Sequence, residues 1–465
     1  MRLGILSGIY ADAVADFVES YPVNREPVVL NTGLSEGYLR AAPGIASLGT
    51  GPGEDRGAIN WNGVCYRVSG NKLITVSSAG TVTELGDVGP GDLCAFDYSF
   101  DRLAFNSGTN LYYWDGTTLA QVTDPDLGIV LDLIWIDGYF MTTDGEFLVV
   151  TELNDPTQVD PLKYGSSEED PDPVTGLIKL RGEVYALNRY TIEVFNNTGG
   201  SGFPFTRNSG AQIPKGCVGS RAKSLFAQTF AFVGGGRNEG LGVYLAGNGD
   251  AQKISTIRVD KLLDALTDTE KAAISVEARV DDDEQRLLVH LPTQTLVFYA
   301  KASEMAGEKI WAIYASGSGA DEAYRGRNGV QCYGRYIVGD AEGNIGAISG
   351  NVPTHFGEVT GWWFDTALLS NEMARGIVNS VELTGLPGRG IFGSDPRIFM
   401  SMTQDGVVWS QERAISPGRP GQRDKRIQWR PKIRFNRWIG MRFRGADEGM
   451  AAFARLDAAI EPLDA

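Results

Sequence analysis

The feature of this chain that most constrains its fold is a repeated pair of short strands. In each copy, a strand rich in β-branched and aromatic residues meets a turn centred on Gly or Asp-Gly, and a second strand follows. The pattern restarts after about 35–55 residues, with copies near Ile59, Leu111, Leu133, Leu177, Phe226, Glu284 and Tyr336. One small antiparallel sheet cannot bury both of its faces, so sheets repeated at this period are expected to stack radially into a β-propeller.

The chain is therefore predicted to be all-β, with three regions. Residues 1–58 are expected to form an irregular N-terminal arm, in which Ala11–Ser20 suits a short helix. Residues 59–355 are predicted to form a propeller-like body of about five to seven blades, in a complete or an incomplete ring. Residues 356–465 carry strand-like runs at wider spacing, which indicate a β-sandwich-like domain. The expected strands of that domain are Val378–Leu383, Arg397–Met402, Val407–Gln411, Ile427–Phe435 and Trp438–Phe443.

Two segments depart from the repeated strands. Residues 152–176 are rich in proline and acidic residues and are predicted to be a long loop. Residues 259–275 are predicted to be helical, because Thr267 and Glu270 have the spacing of a capping box.

The charge of the chain is unevenly distributed. Its net charge is −16, which favours solubility and disfavours general binding to nucleic acid. Between Arg413 and Arg444, however, eleven Lys and Arg stand against one acid, so this segment carries +10. We interpret the segment as a candidate protein-docking surface, carried by Arg423, Lys425, Arg426, Arg430, Lys432, Arg434, Arg437, Arg442 and Arg444.

The basic segment partly alternates, as a strand does. Ile427, Trp429, Ile433 and Phe435 are predicted to share one face, and Gln428, Lys432 and Arg434 the other. Two interpretations stay open: a solvated outer strand face, or a surface that docks an acidic protein or nucleic acid phosphate.

The residues that could carry catalysis are few. His290 and His355 are the two histidines of the chain, and His290 lies in an apolar strand where a structural role is favoured. Neither a Ser/His/Asp arrangement nor an H-E-x-x-H motif can be assembled. The four cysteines are widely spaced and are interpreted as isolated thiols, which indicates synthesis in a reducing compartment. We assign no catalytic, cofactor-binding or metal-binding residue, and no enzyme activity or cofactor is expected.

Three further motifs have a plain structural interpretation that is preferred to a functional one. The acidic runs at residues 168–172 and 281–284 lack the alternating spacing of a calcium loop and are interpreted as solvated turns. The glycines at 234–236 are followed by a strand rather than a helix, so a hairpin loop is favoured over a phosphate cradle. Ser401–Trp409 is similar to the Asp-box hairpin of sialidases, but its Asp405 and Gly406 are adjacent, whereas the box separates them by one residue.

Membrane insertion and export are not expected. No apolar run approaches the roughly 20 residues that cross a membrane. The N-terminal residues 1–13 only faintly resemble a signal peptide, because Ser7, Gly8 and Tyr10 interrupt their short apolar stretch.

Short motifs spread over about 400 residues give the chain a recognisable resemblance. The N-terminal motifs are Tyr21-Pro22-Val23-Asn24, Gly37-Tyr38-Leu39-Arg40, Pro43-Gly44-Ile45 and Tyr66-Arg67-Val68. The later motifs are Thr191-Ile192-Glu193, Lys215-Gly216, Leu287-Leu288-Val289-His290-Leu291-Pro292, Tyr324-Arg325-Gly326, Gly339-Asp340, Asp405-Gly406, Asp424-Lys425-Arg426, Trp429 and Ile439-Gly440. Taken in this order, they resemble the packaged-DNA stabilisation proteins of short-tailed bacteriophages. Residues 152–176 and 360–395 match that family poorly.

The resemblance implies a non-enzymatic virion protein that is made in the host cytoplasm. It implies a homo-hexameric ring, the tail hub or nozzle, which joins the head-tail adaptor ring above to a needle or plug protein below. Tailspikes or tail fibres are further implied partners. Such a ring closes the channel to retain packaged DNA, and genomic double-stranded DNA contacts its lumen transiently and without sequence preference. If acidic side chains line that lumen, they repel phosphate and let the duplex slide.

One alternative function stays open at this point. A tail-associated propeller that binds or degrades glycans would place its ligand site at the mouth of the central channel. A glycosidase would also need two carboxylates at a defined separation. A periplasmic propeller adaptor is a third interpretation, and it would need an export signal.

Overall fold

The computed structural model describes residues 1–11, 16–30, 32–153, 155–281, 283–370, 375–388, 393, 395–446, 449 and 451–463. The chain folds into two compact units. The sandwich unit comprises Met1–Ala46, Thr293–Arg325 and Ile348–Ala465, and the propeller unit comprises Ser47–Pro292 and Gly326–Ala347. The predicted domain boundaries at residues 58 and 355 stay a prediction.

The first four sheets of the propeller unit are antiparallel meanders of four strands, in which consecutive strands pair. Blade 1 is Asp55–Trp61, Val64–Ser69, Lys72–Val76 and Val82–Asp87; blade 2 is Phe96–Tyr98, Leu103–Ser107, Asn110–Trp114 and Leu119–Gln121. Blade 3 is Asp132–Ile136, Tyr139–Thr143, Phe147–Thr151 and Val159–Ser166; blade 4 is Val174–Leu180, Glu183–Asn188, Ile192–Asn197 and Phe205–Arg207.

Three further blades follow in chain order. Blade 5 has a split first strand, and its strands are Gly216–Cys217, Lys223–Phe226, Thr229–Gly235, Gly242–Gly247 and Asp250–Lys253. The strands of blade 6 that belong to the propeller unit are Ser275–Asp281 and Glu284–His290. The strands of blade 7 are Arg327–Cys332, Arg335–Gly339 and Asn344–Ser349. Residues 234–236 lie at the end of one strand of a hairpin, as predicted.

The blades form a closed circle. The first strand of each blade lies beside the first strand of the next, and that of blade 7 lies beside that of blade 1. Apolar side chains fill the space between neighbouring blades: Trp61 and Tyr66 pack with Phe105 between blades 1 and 2, and Cys65 packs with Cys332 between blades 1 and 7. The described part of the propeller therefore has seven blades, within the predicted range.

Tight turns join the first two strands of several blades. Among the described residues, four of these turns place two consecutive residues at positive φ, namely Asn62-Gly63, Asp137-Gly138, Arg181-Gly182 and Tyr333-Gly334. Two positive φ angles define the type I′ turn, whose twist matches that of the flanking strands. The second position is glycine in all four, because glycine adopts this conformation without steric cost.

The helical segment of the propeller unit lies between blades 5 and 6. It consists of two helices, Ile257–Asp264 and Asp268–Ala272, rather than one continuous helix. The predicted capping box is present: the Thr267 hydroxyl accepts from the Glu270 backbone N–H, and the Glu270 carboxylate accepts from the Thr267 N–H at 2.8 Å.

The sandwich unit has two sheets with a shared apolar core. The first sheet contains Arg2–Leu3, Arg25–Val29, Gly37–Ala41, Arg375–Gly385, Ile427–Trp429, Ile433–Phe435 and Phe453–Leu463. The second contains Gly361–Asp365, Leu369–Ser370, Ile398–Thr403, Arg413–Ile415 and Trp438–Ala446. Rings from the two sheets meet in the core, where the centroids of Trp429 and Phe443 lie 5.5 Å apart.

The N-terminal residues are more regular than predicted. Three of their strands belong to the first sheet of the sandwich, and Leu39 is fully buried in its core. The predicted helix at Ala11–Ser20 is wrong in its described part, because Gly8–Ala11 and Phe17–Ser20 form an antiparallel strand pair. Residues 12–15 of that prediction lie outside the described residues.

The remaining elements of the sandwich unit are short. They are strands Thr295–Tyr299, Trp311–Ser316, Glu322–Ala323, Thr354–His355 and Glu358–Val359, the first three residues of strand Gly44–Thr50, and helix Ala300–Ala306, which was not predicted. The predicted strand Val407–Gln411 is wrong: this stretch contributes only the isolated bridge between Trp409 and Thr403.

Candidate docking surface and charged centre

The basic segment runs through both sheets of the sandwich. Ile427–Trp429 and Ile433–Phe435 pair with Arg375–Gly385 in the first sheet, whereas Trp438–Ala446 belongs to the second. The predicted alternation is confirmed, since Ile427, Trp429 and Phe435 lie in the core. Hydrophobic burial of alternate residues therefore holds the intervening cations on the outside.

Three of the nine predicted docking residues are paired within the unit. Arg442 makes a bidentate ion pair with Asp365 at 2.7 and 2.8 Å, and its guanidinium lies between the rings of Trp363 and Trp409. Arg444 pairs with Glu412. Arg426 pairs with Glu382, and the Arg426 guanidinium lowers the pKa of that carboxyl. The charges of these three cations are already compensated.

The other six predicted residues are exposed cations. They are Arg423, Lys425, Arg430, Lys432, Arg434 and Arg437, which we call the free basic set. Within the part of the chain that the structure describes, none of the six makes an ion pair. Their charges are therefore available to a partner.

The two units differ in total charge. The propeller unit holds 36 Asp and Glu against 21 Lys and Arg, a net charge of −15. The sandwich unit holds 22 acids against 21 bases, a net charge of −1. Nearly all of the negative charge of the chain therefore lies on the propeller unit, and the +10 of the basic segment lies on the sandwich unit.

A second cluster of charges, missed in the sequence, lies at the centre of the propeller. Asp132, on the first strand of blade 3, is 1% exposed and binds Lys223 of blade 5 at 2.5 Å. Its carboxylate also accepts from the backbone N–H of Leu177, in blade 4, at 2.7 Å. Burial lowers the pKa of Lys223, and the Asp132 carboxylate opposes that effect.

Other side chains of this cluster also reach past the adjacent blade. Arg221, just before the second part of the split strand of blade 5, donates to the carbonyl of Cys94, just before blade 2, at 2.6 Å. Lys179 of blade 4 binds Asp97 of blade 2 at 2.6 Å and donates to the Trp135 carbonyl of blade 3. In a circle of seven, blades 2 and 5 lie on opposite sides. These side chains therefore reach across the centre, and we call Asp97, Asp132, Lys179, Arg221 and Lys223 the axial cluster.

Buried charges also join the last blade to the first. Arg67 makes a bidentate ion pair with Asp55 at 2.6 and 2.9 Å, and it donates to the Asn328 carbonyl of blade 7. Burial disfavours the Arg67 cation, but the Asp55 carboxylate outweighs that effect and raises the pKa of Arg67. Asn328 in turn donates to the Asp55 carboxylate at 2.9 Å.

A signal for the axial cluster was present in the sequence. Asp132 is the single charged residue in the apolar run Val130–Ile136, where an unpaired carboxylate would be costly to bury. The sequence could not show the partner, because Lys223 lies 91 residues away.

The two histidines and the four cysteines are buried and have structural roles. His290 is buried beside Glu277, with 3.1 Å between its Nε2 and the carboxylate. His355 is buried against Tyr324, and its Nδ1 lies 2.9 Å from the Ser316 hydroxyl. The four cysteines are buried free thiols.

The acidic motifs also have local partners. In the Asp405 hairpin, the carboxylate accepts from the backbone N–H groups of Val407 and Val408 and from the Thr403 hydroxyl, so it closes the turn. The Asp172 carboxylate accepts from the N–H groups of Tyr190 and Thr191. Of the run at 281–284, Asp282 lies outside the described residues. Among the described residues, no cluster of three or more His, Cys, Asp or Glu could hold a metal ion, and no helix is both long and apolar enough to span a bilayer.

Comparison with known proteins covers almost the whole chain. The family described as "Bacteriophage P22 Gp10, beta-propeller" matches residues 1–352, and "Bacteriophage P22 Gp10, beta-sandwich" matches residues 361–461. The tail hub protein gp10 of Salmonella phage P22 is 28% identical over 452 residues, which span 92% of this chain and 93% of that protein.

Solved structures give weaker similarities. The N-terminal domain of Nup159 has a TM-score of 0.42 at 10% identity, over 66% of this chain and 95% of that one. The WD40 domain of Neurospora crassa Pan2 has a TM-score of 0.40 at 10% identity, again over 66% and 95%. Similarities at this level carry no argument about function. By the match of both of its parts, the chain belongs to the family of the bacteriophage P22 tail hub protein Gp10, an all-β virion protein of the phage tail with a propeller and a sandwich.

Proposed function

We propose that this tail hub protein forms a homo-hexameric ring that joins the head-tail adaptor to the distal plug of the tail. In this role it retains the packaged DNA and then forms part of the conduit through which the DNA leaves. The protein acts by contact alone and carries out no reaction. Its partners are other copies of itself, the adaptor ring, a needle or plug protein and a tailspike or tail fibre.

The observation that carries this proposal is the set of charged contacts that spans the centre of the propeller. A propeller that binds a small ligand usually does so at its central channel, but here the axial cluster reaches across that space with ion pairs. A propeller crossed in this way is suited to form part of a wall. A passage for DNA must then lie between subunits and not through a propeller.

The charge of the propeller unit suits such a wall. A net charge of −15 repels the phosphates of a duplex, so DNA that passes along this surface is not held. The free basic set has the opposite sign, and we propose that it docks on acidic surfaces of the adaptor or of neighbouring copies. Because these six cations have no ion pair to break, docking carries a small desolvation cost compared with that of a paired charge.

Charge reversal within the free basic set tests the proposal. The variant Arg430→Glu, Arg434→Glu and Arg437→Glu is expected to fold, because all three side chains are exposed, and to assemble poorly into tails. Circular dichroism checks the fold, and electron microscopy of particles made with only this variant checks assembly. The matched control replaces the same three residues with Lys, which keeps the charge and should keep assembly. Normal tails with the Glu variant would contradict the docking role.

DNA retention needs a separate measurement. Particles assembled without this protein are expected to package DNA and then lose it, which quantification of protected DNA after nuclease treatment would show. Full retention in such particles would contradict the proposed closure of the channel.

A further inference from the structure

The propeller unit carries an aromatic side chain held out into solvent. Phe100 is 92% exposed, at the tip of the turn that joins the first two strands of blade 2. The turn is held by a backbone hydrogen bond from Ser99 to the Arg102 carbonyl at 2.9 Å and by the Ser99 hydroxyl, which donates to Asp101 at 2.7 Å. The rings of Phe100 and Trp135 meet in a T-shaped arrangement, with 5.9 Å between their centroids. Phe100 is therefore a positioned, exposed apolar group.

The sandwich unit carries an open pocket of about 330 Å³, which we call the Trp409 pocket. It is lined by the apolar side chains of Met402, Val408, Trp409, Ile433 and Ile439 and by the polar residues Gln404, Asp405 and Ser410. Its walls are held by local contacts: the Asp405 carboxylate closes the hairpin, and the Arg442 guanidinium lies 4.3 Å from the Trp409 ring centroid. This volume is at the lower end for ligand pockets and has room for one aromatic side chain.

The surroundings of these two features have opposite charge. Phe100 lies on a unit of net charge −15. Asp101, the next residue, pairs with Arg102 of the same turn, and the neighbouring turn of blade 3 carries the exposed Asp137. The pocket adjoins the free basic set: Gln404, in its lining, donates to the Arg434 carbonyl at 3.0 Å, and Arg437 lies two residues before Ile439. An exposed aromatic group on an acidic unit thus matches a mostly apolar pocket beside exposed cations.

We infer that Phe100 of one copy inserts into the Trp409 pocket of a second copy. Because the two surfaces differ, the contact is heterologous, and contacts of this kind generate closed rings when the rotation between copies permits. This inference deepens the proposed function and rests on it, since it names a contact that holds the hub ring together. An aromatic side chain in a central apolar pocket, with charges at the rim, is the usual anatomy of an interface hot spot.

Sedimentation velocity of the full chain tests the contact. The wild-type chain is expected to form a ring, and Phe100→Ala and Val408→Asp are each expected to weaken association by roughly 10- to 100-fold, the loss that follows from leaving one aromatic side chain unburied. The control is Leu162→Ala, which shortens another exposed apolar residue of the propeller unit, 80% exposed, and should leave the ring intact. If the wild-type chain stays monomeric, both the proposed ring and this contact are wrong. A stable ring in both Phe100→Ala and Val408→Asp overturns the contact alone.

Disulfide trapping identifies the occupant of the pocket. The natural cysteines are buried, so engineered surface thiols report proximity without interference. When the single variants Phe100→Cys and Val408→Cys are mixed and oxidised mildly, a disulfide-linked dimer is expected, which can form only between copies. Phe100→Cys mixed with Leu162→Cys serves as the control and should not crosslink. A second copy would not be the occupant if the first dimer failed to form or if both mixtures crosslinked equally. Capture of a different virion protein by residue 100 in assembled tails would also contradict it.

Discussion

The propeller and the sandwich use their charged residues in opposite ways. In the propeller unit, Asp132 pairs with Lys223 and Asp55 pairs with Arg67, and all four side chains are almost completely buried. In the sandwich unit, six cations of the basic segment stay exposed, while Arg442 and Arg444 are paired at the surface.

This difference follows from how each unit is built. The first strands of a propeller are edge strands, whose backbone groups face the centre and need partners there. Inward charges supply those partners, as Asp132 does for the Leu177 N–H. The two sheets of a sandwich meet over an apolar core instead, so the cations of the outward strand faces stay exposed and the free basic set is open to docking. The propeller unit thus uses charge to join its blades, and the basic segment of the sandwich unit offers charge for contact.

The largest expected effect on the free energy of unfolding comes from breaking the axial cluster. Asp132→Ala leaves Lys223 and the Leu177 N–H buried without their partner, and removal of one member of a buried ion pair costs about 3–5 kcal/mol. Urea denaturation followed by tryptophan fluorescence measures this loss. Glu146→Ala is the control, because Glu146 is an exposed turn residue of the same blade. Equal losses in the two variants would contradict a special role of the propeller centre.

The second prediction tests whether the N-terminal residues belong to the core of the sandwich. Leu39→Ala removes a fully buried side chain and is expected to cost about 3 kcal/mol, within the range for such truncations. Leu34→Ala, at a position 47% exposed, is the matched control and should change the free energy of unfolding little. If the N-terminal residues were an independent arm, Leu39→Ala would leave the unfolding of the sandwich unchanged.

The smallest expected effect concerns how the stability of the sandwich unit depends on pH. Burial, together with the nearby Arg325 cation, lowers the pKa of His355 to about 4 in the folded state, whereas the unfolded value is about 6.5. The unfolded chain therefore binds the proton first as the pH falls. The neutral imidazole contributes stability that is fully present above about pH 6.5 and is lost progressively towards pH 4, by about 2–3 kcal/mol at pH 4.5.

Denaturation at pH 7 and pH 4.5 measures the contribution of His355 to the free energy of unfolding. The loss of stability between the two pH values should be smaller in His355→Gln than in the wild type, because glutamine does not titrate. An identical loss in both proteins would show that other groups dominate the acid response of this unit.

Much of the fold could be predicted from local patterns. The repeated strand pairs predicted the propeller, the capping box at Thr267 is present, and the alternation from Ile427 to Phe435 placed the core side chains of two strands. Each of these signals depends on residues within a few positions of one another. The helix prediction at Ala11–Ser20 was wrong because strand pairing between Gly8–Ala11 and Phe17–Ser20 overrides a weak local preference.

The sequence predicted the basic segment, but not the pairing of its cations or the Trp409 pocket. Composition alone identified the basic segment, but nothing local separated Arg442, which meets Asp365, from Arg434, which has an exposed side chain. The Trp409 pocket likewise depends on three stretches, around Met402, Ile433 and Ile439, that come together only in the folded unit.

Local patterns were enough to predict the repeated strand pairs, many of their turns and the segregation of charge, because each depends on the chemistry of neighbouring residues. The number of blades, the charged contacts across the propeller centre and the entry of N-terminal strands into a sandwich made mostly of C-terminal ones depend on tertiary contacts. Those features join residues that are tens to hundreds of positions apart. The physical reason is that pairing and burial depend on distance in space, which local sequence patterns do not record.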